Sequence, residues 1–97
     1  METEQAPRHW AARVFVTLKP VVNDPQGLAI RDGLHQLGYP GVTQVRFGKM
    51  IDLRFAAPDV ATAEAQVREM ALRLLANPVI EQFSFDVEPV ALVGERV

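Results

Sequence analysis

The sequence predicts an α+β domain with its elements in the order βαββαβ, and three observations carry that prediction. Runs of alternating apolar and polar residues recur along the chain. Two stretches between them space their apolar residues by threes and fours. Proline, glycine, asparagine and aspartate stand at the joints.

Residues 1–11 carry charge and a proline without clean periodicity, and are expected to form a tail, with a single domain over residues 12–97. From Arg13 the pattern alternates: Val14, Val16 and Leu18 point one way and Arg13, Thr17 and Lys19 the other, as in a half-buried strand, with Phe15 as an apolar exception on the polar face. Pro20 ends it. Asp24 is placed to cap a helix whose first turn accepts Pro25; Ile30, Leu34 and Leu37 supply its apolar spacing, and Gly38 its left-handed stop. A second strand is expected over 42–47, with Val45 and Phe47 on one face and Gln44 and Arg46 on the other. Gly48-Lys49 reads as a hairpin turn into a third strand carrying Ile51, Leu53 and Phe55 inward. Asp59 caps a second helix striped by Val60, Ala63, Val67, Met70 and Leu74, which Asn77-Pro78 terminates. In the last strand, from about Ile80 to Glu88, Phe83, Phe85 and Val87 alternate with polar residues.

Two split right-handed units solve this order as a ferredoxin-like fold, a four-stranded antiparallel sheet with both helices on one face. The opposite face would carry Arg13, Phe15, Thr17, Lys19, Arg46, Asp52, Arg54, Asp86 and Glu88. Such a face is either solvated or, carrying both signs and an exposed aromatic, self-complementary about a two-fold axis.

Composition narrows the function. At 97 residues the chain suits one domain, which buries roughly 60 to 70% of its unfolded surface. With 48% hydrophobic and 23% charged residues it is expected to fold, and a net charge of -2 argues against nucleic acid as a partner. No cysteine is present, which excludes disulfides, thiolate metal sites and a cysteine nucleophile. No apolar run approaches the ~20 residues of a membrane helix, and Met1 to Gln5 do not resemble a signal peptide, so the expected compartment is the cytoplasm.

Candidate chemistry is sparse. The only imidazoles are His9, in the tail beside Trp10, and His35, on the first helix beside Leu34, and neither is well placed for catalysis; no two histidines cluster for a metal. Phosphate-cradling glycine motifs are missing. Arg46-Phe47-Gly48-Lys49, two cations flanking a glycine, is the nearest approach to an anion contact, and it also reads as an ordinary hairpin turn.

Four segments in order and spacing carry a resemblance. They are Leu18-Lys19-Pro20 running to Asp24-Pro25-Gln26-Gly27, then Leu37-Gly38-Tyr39, Val45-Arg46-Phe47-Gly48-Lys49, and Leu74-Leu75-Ala76-Asn77-Pro78-Val79-Ile80-Glu81. Between about Val14 and Val87 the chain resembles the PurS family, the small subunit of phosphoribosylformylglycinamidine (FGAM) synthase. Val21, where that family often has glycine, and Met50, where an aromatic is frequent, depart from its pattern.

The resemblance implies a non-catalytic role in purine biosynthesis. It implies a pair of chains, in isolation a dimer or a tetramer, joining a glutaminase subunit (PurQ) to a synthetase subunit (PurL) and assisting ammonia transfer between them. ATP and magnesium would belong to the synthetase, with no cofactor held by this chain. On that reading Lys19, Arg46 and Lys49 are candidates to anchor acidic or phosphate groups of a partner. Asp24, Gln26, Gly48, Asn77 and Glu81 would shape the loops that present them, although Asp24 and Asn77 are also explained as helix-end residues. The alternatives are a dimeric small-molecule-binding regulatory domain, for which fold analogy is the warrant, and a free-standing enzyme, which would need an acid, base or nucleophile that the sequence does not offer.

Overall fold

The computed structural model describes residues 8–90. Its elements are β1 (Arg8–Leu18), α1 (Pro25–Gln36), β2 (Gly48–Ala57), α2 (Val60–Met70), which runs on into a π-helical turn at Ala71–Leu75, and β3 (Glu81–Val90). The sheet has three strands among the described residues, in the order β2-β1-β3, both pairs antiparallel. The fold class is therefore α+β with two helices, as expected, but the four-stranded sheet is not formed.

The missing strand traces to Gly48. It was expected in a turn, yet it pairs with Thr17 at the start of a strand that follows β1 along its whole length. A side-chain carbon at Gly48 would lie 2.5 Å from the Val16 carbonyl oxygen and 2.7 Å from Thr17 Cγ2. This glycine thus serves a close approach between strands rather than a reversal of the chain. Residues 42–47, expected to be the partner strand of a hairpin, lead into β2 without a turn and stay outside the sheet.

β1 also begins earlier than expected, at Arg8, inside the stretch read as a tail. Trp10 and Ala12 continue the inward parity of Val14 and Val16, and all four are buried. The small Ala12 breaks the apolar signal without breaking the strand. The Trp10 indole N–H donates to the Ala57 carbonyl, 2.9 Å away on β2, which satisfies the one polar atom this ring takes into the core.

The core lies between β1 and α2. Ala12, Val14 and Val16 meet Val67, Ala71 and Ala76, flanked by half-buried Ile51, Leu53 and Phe55 on one side and Phe83, Phe85 and Val87 on the other. Trp10, Ala57 and Ala63 form a second cluster beside it. Asp59 caps α2, accepting the Thr62 N–H at 2.7 Å. The expected stripe through Leu74 slips at the π-helical turn, where Ala76 N–H reaches back to the Ala71 carbonyl at 2.9 Å. Five residues per hydrogen-bonded ring in place of four rotate the helix surface. Leu75 consequently joins the core, and Leu74 is 83% exposed.

α1 does not join α2 on the sheet. Neither core cluster contains any of its residues; only Gly27 is buried, and Leu28, Ile30 and Leu37 are exposed. The molecule measures 63 × 32 × 17 Å with a radius of gyration of 18.3 Å, against roughly 12 to 13 Å for a compact domain of this length. α1 extends the molecule beyond the end of the sheet instead of thickening it.

Candidate docking corner

Asp24 holds this end of the molecule together. It is 5% exposed. One carboxylate oxygen accepts the Gly27 N–H at 2.9 Å, capping α1, while the other accepts the Phe47 N–H at 2.9 Å and lies 3.9 Å from Arg46 Nε. The Phe47 and Gly27 amides, then the Arg46 guanidinium, hold its carboxyl below the usual carboxylate range against the opposing effect of burial.

Arg46 extends the same network. Its Nη2 donates to the carbonyls of Leu18 and Lys19, at 3.1 and 3.0 Å, so the guanidinium closes the end of β1 onto the segment before β2. Lys19 is fixed in turn by its own N–H, which donates to the Ile80 carbonyl at 2.8 Å. The last of the four segments is bound in a similar way. Glu81 Oε1 accepts the Asn77 N–H at 2.7 Å, Asn77 Oδ1 accepts the Val79 N–H at 3.0 Å, and the Asn77 carbonyl accepts from both Ile80 and Glu81.

The eight residues singled out from sequence therefore share one end of the molecule. Asp24, Gln26, Gly48, Lys49 and Glu81 line a single hollow of about 190 Å³ with Thr17, Leu18 and Phe47. Lys19 and Arg46 adjoin it through the network around Asp24, and Asn77 adjoins it through Glu81. Their chemistry divides. Arg46, Asp24, Asn77 and Glu81 spend hydrogen bonds on the chain itself, and the exposed Lys49 makes no ion pair with the described residues. His35 lies far along α1 and its Nε2 is 2.6 Å from the Val42 carbonyl, so this histidine pins a loop. His9 is half-buried within β1.

Sequence reasoning missed a second hollow of about 440 Å³, lined by residues 20–24, Leu28, Arg31 and residues 43–46. No residue-type signal marks it, because it arises from α1 standing clear of the sheet. Among the described residues no group of three or more His, Asp or Glu is arranged to hold a metal ion, and no helix is long and apolar enough to cross a membrane.

A family model for PurS, phosphoribosylformylglycinamidine (FGAM) synthase, matches residues 11–89. The chain belongs to the PurS family. It is 55% identical over 75 residues to the Synechocystis sp. FGAM synthase subunit PurS, covering 77% of this chain and 75% of the relative. The PurS structure from Bacillus subtilis superposes with a TM-score of 0.73 at 40% identity, covering 81% of this chain and 98% of that one. A chain of the PurLQS structure from Thermotoga maritima superposes with a TM-score of 0.72 at 28% identity, covering 84% and 98%. The matched region spans both the sheet and the corner around Asp24, so the resemblance carried by the four segments extends to the fold.

Proposed function

We propose that this chain is the small, non-catalytic subunit of FGAM synthase in purine biosynthesis, acting in the cytoplasm to join the glutaminase and synthetase subunits. In that assembly formylglycinamide ribonucleotide, glutamine and ATP give FGAM, and ammonia must pass from one active site to the other. A joining subunit needs defined surface and no nucleophile. The observation that carries the reading is the convergence of three of the four segments, Leu18 to Gly27, Val45 to Lys49 and Leu74 to Glu81, on one corner built by internal hydrogen bonds around Asp24 and presenting Lys49 to solvent. Its PurLQS relative supports the same partners. Lys49 and Lys19 are the cations offered to acidic groups of a partner, and Arg46 is the clamp that keeps them placed. ATP and magnesium are used by the synthetase and not bound by this chain.

The working unit on this reading is a pair of chains. Exposed Leu28, Ile30 and Leu37 on a helix that covers none of its own sheet call for a covering surface, and a second copy supplies one by symmetry. The small-molecule regulatory alternative is set aside, because the relatives described above are FGAM synthase subunits.

Glutamine-dependent FGAM formation by the matching synthetase and glutaminase, with and without this chain, tests the proposal beside the same reaction fed with free ammonia. Dependence on the chain only with glutamine is the expected result. Indifference of both reactions to the chain would overturn the joining role.

A further inference from the structure

The most exposed large apolar side chains among the described residues are Val21, Leu74 and Val79, at 94, 83 and 77%. Backbone hydrogen bonds gather them. Lys19 N–H donates to the Ile80 carbonyl at 2.8 Å and Val22 N–H to the Lys19 carbonyl at 2.9 Å, so the turn that carries Val21 is anchored beside Ile80. The bonds between Asn77 and residues 79–81 fix Val79 in a tight turn on the other side of Ile80, which is itself exposed, and Leu74 stands just before that turn.

Leu74 is turned outward by the helix and not for want of a core. Continued at about 100° per residue, α2 would carry Leu74 to about 20° around its axis from Ala63, and Leu75 to about 120°. Ala63 is fully buried, so an ordinary α-turn would bury Leu74 and leave Leu75 at the margin. The wider turn at Ala71–Leu75 reverses the two, packing Leu75 on the core and leaving Leu74 in water. Such turns are rare and recur at functional sites. A leucine that forgoes burial in its own chain is accounted for when another surface buries it.

The charges around this patch say which surface. The chain has two lysines, Lys19 and Lys49. Lys19 lies between Val21 and Ile80 through the bonds just described, and Lys49 shares a hollow with Glu81, the residue after Ile80. Neither ammonium makes an ion pair with the described residues. The carboxylates close by, Asp24 and Glu81, accept amides of their own chain. A second copy of the patch would therefore set lysine against lysine with no unengaged carboxylate between them. A different chain, bringing carboxylates, complements it.

We propose that Val21, Leu74, Val79 and Ile80 are the apolar centre of the surface by which this chain docks on a partner subunit, and that the partner presents apolar side chains flanked by carboxylates that meet Lys19 and Lys49. This rests on the joining role given above and names the surface that performs it. The π-helical turn is then the device that supplies Leu74 to the interface.

Titration of the chain into the matching synthetase and glutaminase, read as the concentration giving half-maximal glutamine-dependent FGAM formation, tests the surface. Leu74→Asp and Val79→Asp should each raise that concentration at least tenfold, while the melting temperature and light-scattering mass of the free chain stay as in the wild type. Val60→Asp, exposed at the far end of α2, should leave it within about twofold. Leu74→Lys should raise it less than Leu74→Asp, since a cation there meets the partner's carboxylates, and high salt should narrow that difference. L74D and V79D variants that titrate like the wild type overturn the surface but not the joining role. A wild-type chain without effect on the reaction overturns both. A larger loss with L74K than with L74D overturns the acidic partner. Should V79D fail to unfold cooperatively, the L74D titration decides.

Discussion

α1 and α2 are of similar length, each opened by an aspartate whose carboxylate caps it, and neither is strongly apolar. Yet α2 buries Ala63 and Val67, and Ala71 in the turn beyond, against the sheet, whereas α1 buries a single glycine. The residues of α2 that enter the core are small, which lets the helix lie close over the centre of β1. α1 instead carries Leu28, Ile30, Leu34 and Leu37 on a body fixed to the rest of the chain at its first turn and at both ends of the 42–47 segment. Local caps decide that a helix forms. Which surface it covers is decided elsewhere, and α1 contributes no residue to either core cluster.

The comparison is broken most sharply by placing a charge in each helix. Val67 is fully buried, so Val67→Asp strands an unpaired carboxylate in the core and should abolish cooperative thermal unfolding. Leu37 is 74% exposed, and Leu37→Asp should move the melting temperature of an isolated chain by no more than a few degrees while lowering the proportion of dimer in light scattering. Equal loss of folding in both variants would show α1 to be part of the chain's own core after all. Gly48→Ala should follow in size. Its new carbon meets backbone at Val16, which cannot step aside as a side chain can, and a cost of about 1 to 3 kcal/mol in denaturant unfolding is expected.

Much of this was legible in the sequence for identifiable reasons. Both helix caps, the inward faces of β1, β2 and β3, and the PurS resemblance follow from residue type and spacing. Three features did not. Trp10 is hidden because Ala12 interrupts the apolar alternation, so the pattern starts β1 too late. Gly48 reads as a turn because glycine marks both reversals and close approaches, and spacing alone does not separate them. The position of α1 is not legible because an apolar stripe does not say which surface, if any, of its own chain the helix meets. The eight site residues stand in the motifs, but their convergence at one corner depends on the strand order, which brings the end of β1 and the starts of β2 and β3 together. Even there the roles were not legible, since the inward turn of Arg46 depends on two carbonyls at the end of β1.

Asp24 joins α1 to the sheet end and sharpens the comparison through pH. Its folded carboxyl titrates below 3.8, so its contribution is complete above the ordinary carboxylate range and is lost as pH falls from about 4 through the depressed folded value. Asp24→Asn should lower the melting temperature by roughly 5 to 10 °C at pH 7, because an amide presents an N–H to one of two amide donors and loses the attraction of Arg46. The gap between wild type and variant should narrow on acidification below pH 4. Asp59, lowered chiefly by its hydrogen bonds from Thr62, gives α2 an acid sensitivity of the same sign, which the Asp24 variant retains. A gap that stays constant from pH 7 to 3 would mean that the Asp24 carboxylate is not bound in this way.

The smallest effect is expected on the open face of the sheet. Arg13 lies between Asp52 and Asp86 in register and donates from Nε to Asp52 at 3.1 Å, with both side chains more than half exposed. In water such a pair gains little over its solvated components, so Arg13→Ala should change stability by about 0.5 kcal/mol or less in an isolated chain, and less still in high salt. Within an assembly the same substitution leaves Asp52 and Asp86 facing each other across β1 without the intervening cation. If this face is covered by a partner, that arrangement becomes costly, because two carboxylates would lose water with nothing to neutralise them. Denaturant unfolding of the free chain measures the first quantity and light scattering of the associated chains the second. An effect confined to association would show that the outer sheet face is used between chains.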